Sequence, residues 1–155
     1  MEQRINVAAA GQGVMKAMLG LSGYVSKSGL EKQLLNLIDF RVSQINGCAY
    51  CLDMHSKDLR AAGETEQRLY LLDAWRESPF YTERERAALA WAEAVTLVRE
   101  GHVPDEVFAQ ARAQFTEEEL ANLTLAVVAI NGWNRLNIAF RTEPGGYKPG
   151  MFAAA

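Results

Sequence analysis

Apolar residues recur every three or four positions along most of the chain, between a small number of glycine and proline breaks. This spacing collects them on one face of an α-helix, and the strict alternation typical of a half-buried β-strand is absent. Seven helices are predicted, at residues 5–20, 30–45, 48–62, 66–77, 83–100, 105–114 and 117–141. The sequence therefore predicts an all-α fold, in which the helices form a bundle.

Two of the predicted helices begin with a capping box, Thr82 with Glu85 and Thr116 with Glu119. In this motif the threonine hydroxyl and the glutamate each satisfy an otherwise unpaired backbone amide at the helix start. Gly63 stands where a helix is expected to end. A length of 155 residues, 49% of them apolar, is typical of one globular domain. We expect a single domain over residues 1–155.

Charge and hydropathy exclude several classes of protein. Sixteen basic and nineteen acidic residues are interspersed and give a net charge of −3, whereas a nucleic-acid-binding protein normally carries a basic face. No apolar run is long enough to span a bilayer, and the first residues lack the apolar segment of a secretory signal. We therefore expect a cytoplasmic protein that binds neither nucleic acid nor membranes.

The segment from Leu120 to Phe140 is apolar nearly all round. A helix of that kind is buried on most sides, either at the centre of a bundle or between subunits. Asn131, Asn134 and Asn137 form a polar row along it. Because buried amides must find hydrogen-bond partners, the row favours helix-to-helix hydrogen bonding over a ligand site.

The chain has two cysteines, Cys48 and Cys51, and a histidine four positions further on, His55. Asn46-Gly47 breaks the preceding helix, so Cys48 falls at the start of the next one. Backbone amides and the helix dipole stabilise an anion there and lower a thiol pKa from about 8.5 toward neutrality. Offsets of three and four residues place all three side chains on one helix face.

Three interpretations of this trio remain open on spacing alone. Two close thiols and an imidazole suit peroxide reduction, through a sulfenic acid that the second thiol converts to a disulfide. A zinc site needs a fourth ligand, and the only other histidine, His102, lies in a loop expected to face solvent. The cysteines can also pack as small, inert hydrophobic residues. A thioredoxin-like site is disfavoured because no βαβ pattern surrounds the motif.

Residues 43–57 read SQINGCAYCLDMHSK. This string closely resembles the signature of the alkylhydroperoxidase D-like family, within the carboxymuconolactone decarboxylase superfamily. The likeness continues through residues 63–69, 83–94 and 129–137 and covers a core of about residues 30–142. The resemblance implies an all-α fold assembled into trimers or hexamers.

The resemblance also implies a peroxidase of hydrogen or alkyl peroxides that needs no metal, haem or other cofactor and is reduced by a dithiol or a protein. By this likeness Cys51 is the peroxidatic thiol, Cys48 is the resolving thiol and proton donor, and His55 belongs to the proton relay. The family pattern places a glutamate at the far end of the relay, twelve residues before the first cysteine. Here that position is Asn36, which cannot exchange a proton. Asp39, one helical turn further along, is a substitute acid by position, although the pattern alone favours a solvated aspartate.

Two other functions stay open. The decarboxylase branch of the same superfamily does not depend on a thiol pair, so the retained cysteines and histidine favour redox chemistry. Alternatively, the chain is an oligomeric scaffold or redox sensor, in which the thiol pair forms a disulfide without efficient turnover. Continuous consumption of peroxide in the presence of a dithiol distinguishes an enzyme from a sensor.

Overall fold

The computed structural model describes residues 2–152, and within that range it contains eight α-helices and no β-strand. The helices are α1 (Val7–Ala10), α2 (Gln12–Val25), α3 (Lys32–Asn46), α4 (Ala49–Ala61), α5 (Glu66–Leu71), α6 (Glu83–Thr96), α7 (Asp105–Gln114) and α8 (Glu117–Phe140). Single turns of 3₁₀-helix cover Leu72–Ala74 and Val98–Glu100. The predicted all-α fold is confirmed. The ends of the predicted domain, residues 1 and 153–155, lie outside the described residues.

The prediction of one helix over residues 5–20 is wrong. Gly11 (φ −120°, ψ 48°) leaves the helical region and separates the short α1 from α2, and α2 continues to Val25. Glycine is permissive at such a break because it has no Cβ. The extension of α2 is favoured by packing against α8, where the Trp133 indole donates a hydrogen bond to the Ser22 hydroxyl at 2.9 Å.

Two predicted helix ends also differ from the structure. The helix predicted over residues 66–77 is α-helical only to Leu71, and the one predicted over 83–100 only to Thr96. Each continues into a 3₁₀ turn, the tighter hydrogen-bonding pattern that often finishes a helix. Both predicted capping boxes are present, and Gly63 follows the end of α4 with φ 93°.

Helix α3 is at the centre of the bundle, because it packs against α4, α6 and α8. On α8 the buried residues are Leu120, Asn122, Leu123, Ala126, Val127, Ala129, Ile130 and Asn134. The prediction that this segment is buried on most sides holds for that part of α8. Val128 and Ile138 are 51% and 45% exposed in the protomer, so for them burial between subunits stays a prediction.

Helix α2 carries apolar side chains on its outer surface. Val14, Leu19 and Tyr24 are 45%, 42% and 57% exposed, and Val25 is the one buried residue of the helix. We call Val14, Leu19 and Tyr24 the α2 apolar surface. No helix within residues 2–152 is both long enough and apolar enough to cross a membrane.

Candidate active site

Cys48 is the N-cap residue of α4, as the Asn46-Gly47 break predicts. Gly47 ends α3 in the left-handed region (φ 67°), a conformation that glycine adopts without a Cβ clash. The chain then re-enters a helix, with Cys48 in an extended conformation. The Cys48 Sγ accepts a hydrogen bond from the backbone N–H of Cys51 at 3.4 Å. One sulfur therefore lies at the positive end of α4.

The sulfurs of Cys48 and Cys51 lie within bonding distance, and their Cα atoms are 5.3 Å apart. That separation is within the range found for disulfides. Each cysteine is only 1% exposed. The geometry brings the two thiols together, buried, as a pair that can be oxidised and reduced.

His55 lies one helical turn beyond Cys51 and is 7% exposed. Neither of its ring nitrogens has a hydrogen-bond partner among the described residues. Burial lowers its pKa from 6.5 to about 4 because the charged imidazolium loses its hydration. The ring is therefore neutral near pH 7, and a neutral imidazole can accept a proton at one nitrogen and donate from the other.

The asparagine row of α8 joins that helix to α3. The Asn46 amide donates to the Oδ1 atoms of Asn131 and Asn134, at 3.0 and 2.8 Å. Asn134 in turn donates to the Ser43 hydroxyl at 3.0 Å. The predicted helix-to-helix hydrogen bonding is confirmed for Asn131 and Asn134.

Asn137, the third member of the row, also bonds to another helix, but to α4 instead of α3. Its Nδ2 lies 3.5 Å from the Sγ of Cys51 and donates a hydrogen bond to it. The sequence contained a signal for this contact, since Asn137 follows the buried Asn134 by three residues and so lies on nearly the same face of α8. The partner could not be predicted, because it depends on how α8 packs against α4.

Asn36 and Asp39 lie on α3, and both are half-buried. Burial raises the pKa of the Asp39 carboxyl from 3.8 to about 7 because the carboxylate loses hydration. Within residues 2–152 neither side chain is hydrogen-bonded to His55. Asp39 is therefore an unusually basic carboxyl. Its role in a proton relay stays a prediction.

A segment that the sequence did not predict lies over α4. The backbone turns back after α8, and Tyr147 is buried with its hydroxyl donating to the Asp58 carboxylate at 2.8 Å. The Gly145 N–H donates to Asp53 Oδ2 at 2.9 Å, and the Lys57 ammonium donates to the Tyr147 carbonyl at 3.2 Å. We call residues 143–152 the C-terminal strap. It attaches to the outer side of the helix that carries Cys51.

Among the residues that the structure describes, no group of three or more His, Cys, Asp or Glu side chains is placed to hold a metal ion. His102 is exposed, in the loop before α7, where its φ is 57°.

An all-α protomer with a buried pair of close cysteines at the start of a helix defines a class of helical thiol–disulfide proteins. A model of the carboxymuconolactone decarboxylase family matches residues 12–94, more than half of the chain. The chain belongs to the carboxymuconolactone decarboxylase family.

Similar proteins agree with that assignment. Uncharacterized protein YdfG of Bacillus subtilis is 43% identical over 139 residues, which are 90% of this chain and 95% of YdfG. The crystal structure of ATU0492, a protein of unknown function from Agrobacterium tumefaciens, is 46% identical, with a TM-score of 0.91 over 94% of this chain and 100% of that one. Alkyl hydroperoxide reductase AhpD of Streptomyces coelicolor is 37% identical over 81 residues, 50% of this chain and 45% of that protein. The resemblance to alkylhydroperoxidase D is thus confirmed.

Proposed function

We propose that this protein is a thiol-dependent peroxidase that reduces hydrogen or alkyl peroxides. One observation carries the proposal: two buried cysteine sulfurs lie within bonding distance at the start of α4, with a neutral His55 one turn beyond them. The relationship to alkyl hydroperoxide reductase AhpD supports peroxide over other oxidants. The retained thiol pair favours this reaction over the decarboxylation for which the family is named.

In the proposed cycle the Cys51 thiolate attacks one peroxide oxygen. The O–O bond breaks, an S–O bond forms, and the leaving alkoxide or hydroxide takes up a proton. The Cys48 thiol then attacks the sulfur of the Cys51 sulfenic acid, water leaves and a disulfide forms. A dithiol, free or on a partner protein, returns two electrons and two protons to the pair. The cycle requires no metal, haem or other cofactor.

The proton steps are assigned to the neutral imidazole of His55. With its pKa lowered to about 4 by burial, the ring is free to accept a thiol proton at neutral pH and to return it to the leaving oxygen. Asn36 has an amide in place of the family's carboxyl and cannot exchange a proton. Asp39, whose pKa burial raises to about 7, is the proposed acid at the far end of the relay.

We further propose that the protein assembles with copies of itself, as a trimer or hexamer. The α2 apolar surface supports this proposal, since Val14, Leu19 and Tyr24 are large apolar side chains left exposed on one helix, and exposed apolar area is typical of an interface.

Peroxide consumption by the reduced protein with excess dithiothreitol tests the function. We expect Cys51→Ser to abolish turnover and Cys48→Ser to leave a sulfenic acid on Cys51 that dimedone traps. His55→Gln should slow turnover by about 10²-fold, the usual range for general acid–base catalysis, whereas His102→Gln, at the other histidine, should leave it unchanged. Wild-type turnover by Cys51→Ser would overturn the mechanism. Oxidation of both thiols by one equivalent of peroxide without further turnover would indicate the redox sensor.

A further inference from the structure

The amide of Asn137 is the side-chain donor that the structure places on the Cys51 sulfur. Its Nδ2 is 3.5 Å from Sγ, a normal length for a hydrogen bond to sulfur. Asn137 is only half-buried, so this contact does not arise simply because a buried amide needs a partner. A neutral amide donates to sulfur most strongly when the sulfur carries a negative charge.

Hydrogen bonds between α3 and α8, one helical turn before Asn137, fix its position. One helical turn earlier, the fully buried Asn134 is bonded to Ser43 and Asn46 of α3. Asn46 ends α3, and the cysteine pair follows after a single glycine. The α3–α8 hydrogen bonds therefore hold the end of α8 in register with the start of α4, which brings the Asn137 amide to Cys51.

The two sulfurs have different donors. The Cys48 Sγ accepts from a backbone N–H at the start of α4, at 3.4 Å, and the Cys51 Sγ accepts from the Asn137 side chain. A substitution at Asn137 therefore removes the donor of one sulfur and leaves that of the other in place.

The ionisable groups around Cys51 do not supply a positive charge near neutral pH, so a neutral hydrogen-bond donor can affect the pKa of its thiol. On α4 the ionisable groups within about one turn of Cys51 are Cys48, Tyr50, Asp53 and His55. Of these His55 is neutral near pH 7 because burial lowers its pKa to about 4, and the Asp53 carboxylate is paired with the Lys57 ammonium. On α3, Asp39 lies one turn before Ser43, whose hydroxyl bonds to Asn134 of α8, and its negative charge above pH 7 can only disfavour a thiolate. From α8 the side chains in register are the amides of Asn134 and Asn137, which do not titrate.

We propose that Asn137 is a further catalytic residue, whose amide hydrogen bond stabilises the thiolate of Cys51 and so selects Cys51 over Cys48 as the attacking sulfur. This inference rests on the proposed function, in which Cys51 reacts as a thiolate. The amide keeps its protons throughout, since the thiol proton leaves to His55 or to water. Its effect is on the fraction of Cys51 that is ionised and on the orientation of the sulfur.

The experiment compares Asn137→Leu in two single-cysteine proteins. Cys48→Ser leaves Cys51 as the sole thiol, and Cys51→Ser leaves Cys48, because the chain has two cysteines. The thiol pKa is measured from thiolate absorbance and from the pH dependence of alkylation by iodoacetamide. Loss of a hydrogen bond to an anion should raise the pKa of Cys51 by about one pH unit, a tenfold loss of thiolate at neutral pH, and leave that of Cys48 unchanged.

Asn137→Asp is the second variant, since it keeps the shape of the side chain but replaces the donor with a carboxylate. It should raise the pKa of Cys51 by more than Asn137→Leu does, because like charges disfavour ionisation. Asn122→Leu, at the same residue type on the same helix but bonded to Tyr24 of α2, should leave both thiols unchanged. Equal shifts at both cysteines, or none at Cys51 in either variant, would overturn the proposal. Because no peroxide is used, an inactive enzyme would leave this result interpretable.

Discussion

His55 and Asp39 are shifted in opposite directions by the same physical cause. Burial lowers the pKa of the imidazole to about 4 and raises that of the carboxyl to about 7. Between those two values both groups are uncharged, so the proton resides on Asp39 and the imidazole has a free lone pair. This is the distribution required for His55 to act first as a base toward a thiol.

Asp39→Asn should stabilise the protein at alkaline pH. The folded-state pKa of Asp39 is raised, so the folded state holds the proton more tightly, and the free energy of unfolding falls as pH rises from about 4 to about 7. Asparagine removes that penalty. We expect a gain of about 1–3 kcal/mol near pH 8 that vanishes toward pH 4, measured by urea unfolding at both values.

Asp53→Asn is the matched control for this prediction. The pKa of Asp53 is lowered by its hydrogen bond from Lys57, so its charge contributes stability that is present above the ordinary carboxyl pKa and lost in acid. Removing that charge should not stabilise the protein near pH 8. A gain for Asp39→Asn that is independent of pH would show that burial does not perturb this carboxyl. His55 contributes equally to the pH dependence of the unfolding free energy in the wild type and in each variant, so its contribution cancels in the comparison.

At the scale of elements, α4 is held from three sides. Helices α3 and α8 pack against it, and the C-terminal strap is bonded to its outer residues through Asp53, Lys57 and Asp58. The strap has no regular secondary structure beyond turns, yet Tyr147 is 6% exposed. Side-chain bonds to one helix therefore help to order a segment whose own backbone bonding is a turn, from the Met151 N–H to the Lys148 carbonyl at 3.0 Å.

Tyr147→Phe should loosen the strap without removing its ring from the core. The substitution deletes the hydroxyl that donates to Asp58, a hydrogen bond to a charged acceptor. We expect a loss of about 1–2 kcal/mol in the free energy of unfolding and faster hydrogen exchange in α4. Tyr70→Phe is the control, because Tyr70 is 75% exposed and its hydroxyl bonds only to an exposed glutamate. Equal losses in the two variants would contradict a specific role for the strap.

Most helices were predictable because their signals are local. The capping threonines, the break at Asn46-Gly47 and the three- and four-residue spacing from Cys48 to His55 act within one or two turns of the chain. The strap and the Asn137–Cys51 contact were not predictable, since each joins residues more than 80 positions apart. The break at Gly11 was missed because the sequence gives no cap signal as strong as those of α6 and α8.

At the scale of the whole molecule, α2 is the helix whose apolar side chains have few packing partners within the protomer. The helix contains one charged residue, Lys16, in fourteen. It is anchored to α8 by the Ser22–Trp133 hydrogen bond and by Tyr24, whose hydroxyl donates to Asn122 at 3.2 Å. An anchored helix with exposed apolar side chains is suited to rigid association with another copy.

Leu19→Lys should weaken the proposed assembly. A charge within the α2 apolar surface would be desolvated on association, so light scattering after gel filtration should show species of lower mass than the wild type. Tyr70→Lys, on the exposed side of α5, places the same charge outside that surface and should leave the mass unchanged. A monomeric wild type, or a Leu19→Lys variant of unchanged mass, would contradict association through α2.

The sulfur of Cys48 has two roles, because it pairs with Cys51 and also caps the first turn of α4. A reduced sulfur, above all a thiolate, accepts an amide hydrogen bond more strongly than a disulfide sulfur does. In the proposed cycle we therefore expect reduction of the pair to tighten the first turn of α4 and oxidation to relax it. The backbone at the start of α4 thus reports the oxidation state of the protein, and hydrogen exchange of the Cys51 amide should be slower in the reduced form than in the oxidised one.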